Sequence, residues 1–229
     1  MSAYPKIFDA GEDAVIVYLA KNPCTEVSDQ IAAMLPRLRE HLGDCLVDLI
    51  PSFTSILIIY RPLVRDHYYI HREIRDVLTE LGEHEHKDGK LVELPVYYGK
   101  EVGWDLERIS DRTRIPIDDI IELHQQQEYR VYAIGFSPGF AYMGEVDGRI
   151  ASARLETPRK KVPQGAVGIA DRQTAIYPKA SPGGWNIIGR CPTPMFDKTA
   201  TRPVPVSVGD RVRFYAINKE TFLAKGGQL

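Results

Sequence analysis

The stretch VYAIGFSPGFAYMGEVDG, residues 131–148, sets two textures side by side. Its first six residues read as a buried β-strand. Then Ser137, Pro138 and Gly139 break the run ahead of two aromatics, Phe140 and Tyr142, and of Gly144. Proline fixes φ and removes an amide donor, while glycine admits positive φ, so together they make a stiff corner. A strand ending in such a corner predicts a loop of fixed shape at the rim of a β-rich unit.

Two downstream segments share this composition: TPRKKVPQGAVGIA (157–170) and QTAIYPKASPGGWNIIGR (173–190), the second carrying Trp185. Strands are expected at 128–136, 166–170, 173–178, 185–190 and 211–217. They are short and separated by Gly and Pro, which predicts a closed or nearly closed β-barrel. Two short helices, 105–112 and 116–125, precede them. Stiff loops at one rim can turn Arg159, Gln173 and Arg190 toward a common point. A forked guanidinium suits a carboxylate or phosphate, and an amide side chain suits a lactam. The plain alternative is that these are only tight barrel corners. His124 follows Ile120 and Ile121 at helical spacing, near the buried face and at a helix C-terminus, where the dipole favours the imidazolium. A half-buried histidine with satisfied hydrogen bonds competes there with a proton-transfer group.

Upstream, AVIVYL (14–19) reads as a strand, and Ser28 as the cap of a helix with Ile31, Met34, Leu35, Leu38 and Leu42 in register. Pro36 predicts a kink or an early end in that helix. CLVDLI (45–50) and SILIIY (55–60) flank PSFT as a hairpin. A second helix aligns Ile70, Ile74, Val77, Leu78 and Leu81, and LVELPVYY (91–98) follows as a strand. The order is β-α-β-β-α-β, the ferredoxin-like plan. The fold class is therefore α+β, with a ferredoxin-like domain over 1–88 and a β-barrel domain over 89–229. His84 and His86 fall in a charged linker and read as solvated. His67 and His71 stand four apart on the second helix with no third ligand in the pattern, so no metal site is expected.

Composition narrows the function. The chain of 229 residues carries a net charge of −2, with no basic field that would suit nucleic acid. No apolar run approaches the roughly 18–20 residues of a membrane span, and the N-terminus has no secretory pattern, so a cytoplasmic protein is expected. Cys24, Cys45 and Cys191 are far apart and odd in number, which suits reduced thiols. The sequence has no G-x-x-x-x-G-K-[ST] phosphate loop, no G-x-S-x-G elbow and no evident biotin-attachment segment.

LPVYYG (94–99), DLERIS (105–110), ELH…EYRVYAIGFSPGFAYM (122–143), TPRKKVPQGAVGIA, QTAIYP (173–178), SPGGWNIIGR (181–190) and VGDRVRF (208–214) together resemble the allophanate hydrolase subunit 1 family, also called the KipI family or that of the 5-oxoprolinase B-type subunit. The chain departs from the family's usual pattern at Cys191, where threonine is common, and at Asp171-Arg172, where a second glycine is frequent. The resemblance implies a cyclophilin-like barrel after the ferredoxin-like domain. It implies a subunit of an ATP-dependent 5-oxoprolinase that opens 5-oxo-L-proline to L-glutamate with A-type and C-type partner subunits and is inactive alone. ATP, with Mg, would then be held largely by a partner. The alternatives it carries are inhibition of a sensor histidine kinase and membership of an allophanate- or urea-degrading assembly. In that frame Arg159, Gln173 and Arg190 are the substrate- or anion-binding candidates and His124 the proton-transfer candidate. Gly135, Phe136, Ser137, Pro138, Gly139, Phe140, Tyr142, Gln164, Tyr177 and Trp185 form the cleft loops, with backbone amides near Gly135–Gly139 facing an oxyanion.

Overall fold

A computed structural model describes residues 4–81 and 89–229, and the chain divides into two compact units, Met1–Gly89 and Lys90–Leu229. The first unit contains β1 (Lys6–Asp9), β2 (Ala14–Tyr18), α1 (Thr25–Leu42), β3 (Leu46–Pro51), β4 (Ser55–Tyr60) and α2 (His67–Leu81). Its sheet runs β1-β2-β4-β3 and is antiparallel throughout. Alternation sends Val15, Val17, Ile56 and Ile58 to a fully buried face, and Ile31, Met34, Leu38, Ile70, Ile74 and Val77 of the helices are equally buried. The β-α-β-β-α-β expectation needs one correction. β1, a four-residue KIFD without an apolar run, takes the edge beside β2 where the last strand was expected. The strand at 91–96 belongs to the other unit.

α1 begins at Thr25, so Ser28 lies inside the helix and does not cap it. Nor does Pro36 end it. The helix continues to Leu42 because Leu38 and Leu42 still bury the same apolar stripe beyond the one backbone bond that proline removes. On α2, His71 Nε2 lies 2.8 Å from Asp9 Oδ1, a carboxylate from β1 that helical spacing could not reveal. His67 Nδ1 meets the Tyr60 hydroxyl at 2.6 Å, and its Nε2 meets the Gly11 carbonyl at 3.2 Å. His84 and His86 lie outside the described residues.

The second unit contains β5 (Leu91–Val96), α3 (Leu106–Thr113), α4 (Ile117–Gln125), β6 (Glu128–Ile134), β7 (Ala141–Gly144), β8 (Arg159–Val162), β9 (Ala166–Ala170), β10 (Gln173–Ile176), β11 (Ser181–Gly183), β12 (Asn186–Arg190), β13 (Arg211–Ala216) and α5 (Lys219–Ala224). Seven strands form one sheet in the order β12-β9-β10-β7-β6-β13-β5, and β8 pairs with β11 apart from it. β5 and β13 are parallel, and the other pairs are antiparallel. At the sheet's two edges Tyr97 and Arg190 exchange both backbone hydrogen bonds, each 2.8 Å, so the sheet curls round until its ends meet. The chain is thus a mixed α+β fold with a curled sheet.

Both faces of that sheet are covered, which is why β9 is buried at all five positions. Met143, Val167, Ile169, Ile176 and Ile188 point into the main core, while Phe140, Ala166, Ala170, Ala175, Tyr177, Trp185 and Ile187 point the other way and pack with Val162 of β8. The opening stretch is a hairpin, β6–β7, with the Ser-Pro-Gly corner as its loop. Among the described residues, no helix is long and apolar enough to cross a membrane.

Candidate functional site

Strand register decides which predicted residues can meet. Gln173 stands opposite Ala170 and Gly144, Ile176 opposite Val167, and Arg190 opposite Ala166. Tyr177, Gly165 and Arg190 therefore share one end of the sheet, and Gln173 lies at the other. Arg159 pairs with Gly183, just before β12, whereas Arg190 ends β12. The expected convergence of Arg159, Gln173 and Arg190 on one point does not occur. At about 3.3 Å per residue, a strand of four to five residues holds its ends more than about 10 Å apart.

At the Arg190 end lies a cavity of ≈ 280 Å³, walled by Gln164-Gly165, Tyr177, Arg190–Met195, Phe222 and Gly226–Gln228. Gly165 ties these pieces together. It has φ +78°, its N–H donates to the Tyr177 carbonyl (2.8 Å), and its carbonyl accepts from Cys191 N–H (2.8 Å). A Cβ at this position would collide with the Cys191 carbonyl. Gly139, φ +82°, abuts the Met195 carbonyl in the same way, so the Ser-Pro-Gly corner braces one wall of the cavity.

Arg190 is 8% exposed and donates through Nη1 to the Gln228 carbonyl. Burial pulls its pKa below the usual guanidinium range, and among the described residues no carboxylate offsets it. Gln164 is exposed at the rim. Burial pushes the Cys191 thiol up to about 11, so it is a neutral wall group and no thiolate nucleophile.

Arg159 is placed differently. Its Nη2 donates to Asp105 Oδ1 (2.7 Å), its Nη1 donates to the Trp185 carbonyl (3.2 Å), and its guanidinium lies 5.4 Å from the Trp104 ring. Asp105 is 3% exposed and accepts at Oδ2 from Ile187 N–H (2.6 Å). The cation expected to clamp a ligand is clamped by the protein itself.

Phe140 is buried with edge-on contacts to Tyr142, Tyr177 and Trp185 at 4.8, 5.3 and 5.6 Å. Phe136 is 69% exposed at φ +68°, a backbone region that bulky residues seldom enter. Pro138 is exposed, and the Ser137 carbonyl accepts from Phe140 N–H (2.9 Å). Gly135 N–H donates to the Phe140 carbonyl (3.0 Å), so this amide closes the corner and does not face outward as an oxyanion donor.

His124 is a core residue. It is fully buried, stacked on Phe214 at 4.7 Å, with Nδ1 at 2.8 Å from the Tyr98 hydroxyl and Nε2 at 3.0 Å from Thr174 Oγ1. Burial lowers its pKa to about 3, overriding the helix dipole that was expected to favour the cation. Both ring nitrogens are occupied and no solvent reaches them, which corrects the proton-transfer expectation to a structural role. Sequence reasoning missed the role of Asp105, although it opens the quoted DLERIS segment, and the Phe222–Gln228 segment, which carried no motif.

The carboxyltransferase domain, subdomain C and D, family profile matches residues 5–206. The chain is 30% identical over 234 residues to the B-type subunit of 5-oxoprolinase from Bacillus subtilis, covering 98% of each. It is 37% identical over 162 residues to the protein of that name from Haemophilus influenzae, covering 71% of this chain and 72% of that one. Among solved structures, TTHA0988 superposes with a TM-score of 0.80 at 30% identity; 89% of this chain matches 40% of that longer one.

Proposed function

The chain belongs to the carboxyltransferase subdomain C and D family, that of the 5-oxoprolinase B-type subunit and allophanate hydrolase subunit 1, and from this we propose that it is a non-autonomous subunit of an ATP-dependent 5-oxoprolinase. In this reading it hydrolyses 5-oxo-L-proline to L-glutamate together with A-type and C-type partner subunits. Its second unit is read as a cyclophilin-like barrel. The observation that carries the site assignment is Arg190, a buried cation at the wall of a small cavity, with no carboxylate against it among the described residues. Buried charges are ordinarily paired, so this position favours an anionic ligand.

A ≈ 280 Å³ space is at the small end of ligand cavities and suits a metabolite the size of 5-oxoproline. Arg190 would bind the substrate carboxylate in a charge-assisted fork. Gln164 would meet the lactam amide, and Phe222 and Met195 would cover the apolar ring edge and exclude water. In this scheme ATP would serve as co-substrate: transfer of its terminal phosphoryl group to the lactam oxygen, releasing ADP, would make the carbonyl carbon open to attack by water, and phosphate would leave as the ring opens. Because the chain has no phosphate loop, the nucleotide and its Mg would be held mainly by a partner.

The test is ATP-dependent glutamate release by the complex assembled with its partner subunits. Arg190→Gln is expected to lower kcat/KM at least roughly tenfold, chiefly through KM, and Arg190→Lys to recover part of it. Unchanged turnover in both variants removes the cavity from the reaction. Robust turnover by the isolated chain removes the subunit reading.

A further inference from the structure

α5 is fastened at both ends. Asn218 Oδ1 accepts from Thr221 N–H (2.8 Å), and Phe222 is fully buried with its ring 5.4 Å from that of Tyr97. The chain then reverses through two glycines. Gly226, φ +83°, donates to the Leu223 carbonyl (2.9 Å), and Gly227 donates to the Phe222 carbonyl (2.9 Å) at a place where a Cβ would strike the Phe222 ring. This reversal carries Gln228 back across the cavity, and its carbonyl accepts from Arg190 Nη1. Gln228 and Leu229 are themselves exposed.

A buried guanidinium thus has a neutral carbonyl where an anion would be the stronger partner. A carboxylate makes two charge-assisted bonds to such a fork, each roughly twice as strong as a neutral one. The Gly-Gly pair supplies a hinge with few steric limits on φ. We propose that Gly226–Gln228 is a displaceable strap: its carbonyl occupies the carboxylate position on Arg190 in the free chain and swings away when a carboxylate ligand enters. The proposal rests on reading Arg190 as an anion site, but not on the ligand being 5-oxo-L-proline.

Hydrogen exchange followed by mass spectrometry on the full chain tests it. In Arg190→Gln the amides of 226–229 should exchange about tenfold faster or more, while those of 219–224 stay unchanged. Unaltered exchange at 226–229 in this variant overturns the strap. In the native chain, saturating 5-oxo-L-proline should likewise speed exchange at 226–229. Propionate, a carboxylate without the lactam, serves as the second probe. Faster exchange with propionate alone supports the strap and counts against 5-oxo-L-proline as the ligand. Slower exchange with either probe makes the segment a lid that closes over the ligand, and no change with both leaves Arg190–Gln228 a permanent structural bond; each of these overturns displacement.

Discussion

Arg159 and Arg190 look alike in sequence, each beside a Pro/Gly corner, and the structure gives them opposite physics. Arg159 is neutralised by Asp105, 54 positions away, whose other oxygen holds the Ile187 amide. Removing Arg159 therefore leaves a buried carboxylate with only the longer, half-exposed contact to Arg108 Nε at 3.8 Å, and Arg159→Ala should destabilise the fold by about 1.5–3 kcal/mol. Chemical denaturation of Arg159→Ala, Asp105→Asn and the double variant checks this: the two effects should be strongly sub-additive, and simple additivity refutes the pairing. Among the described residues Arg190 has no such counter-ion. Truncating it to Met removes an uncompensated buried charge, so the melting temperature should hold or rise even as activity falls, the trade that a binding site imposes. A fall of several degrees would mean the cation is compensated after all. Residue type was legible in the sequence at both positions. The partner was not, because a distant carboxylate leaves no mark in local spacing.

At the scale of elements, apolar runs and helical periodicity revealed most of what forms. The β3–β4 hairpin, the stripes of α1 and α2, and strands β6, β9, β10, β12 and β13 all follow from them. Elements held by their neighbours were hidden. β1 and β8 are four-residue strands of mixed polarity, and β7 was masked by the Ser-Pro-Gly corner that makes its hairpin. The histidines show the same limit, since spacing marked a helix face but not the depth of burial. On α4, His124 has its pKa lowered from 6.5 to about 3, so across that window the unfolded chain binds the extra proton. Stability should fall with decreasing pH there, by at most about 1.4 kcal/mol per unit from this group. On α1, His41 is shifted the other way, chiefly by its hydrogen bond to Glu73 of α2 at 3.0 Å. Burial acts to raise the Glu73 pKa, but Arg72 and His41 overcome it and leave it lowered. The stabilisation from protonated His41 is complete below its ordinary value of 6.5 and is lost as pH rises through its elevated folded value. Urea melts from about pH 5 to 8 should show His124→Gln flattening the acid side and His41→Gln the alkaline side. Parallel pH profiles in all three proteins would contradict both assignments.

At the scale of the whole chain, the strand at 91–96 decides where one unit ends. Sequence order draws it into the first sheet, because it completes a familiar β-α-β-β-α-β alternation, whereas the domain bounds expected from the sequence, 1–88 and 89–229, leave it with the barrel. Its pairing assigns it to the second, since it runs parallel to β13 over six registered residues and buries Leu94 and Val96 in that core. Parallel pairing between strands more than a hundred positions apart leaves no local signal, so order alone could not reveal it. The residue after β5, Tyr97, supplies the backbone bonds that bring the sheet's two ends together at Arg190. A chain beginning at residue 90 therefore retains every strand of the curled sheet, and one beginning at residue 98 loses an edge strand, its closure and two core side chains. Burying each such side chain contributes about 1.5–3 kcal/mol, and a domain's whole stability is only about 5–15 kcal/mol. Residues 90–229 are expected to melt cooperatively with β-rich circular dichroism, whereas residues 98–229 should be unfolded or melt without cooperativity. The shorter piece should also lose the Arg190 cavity, because the strand end that carries this arginine is held by Tyr97. Equal melting of the two fragments would show that β5 is dispensable and would return the strand to the first unit.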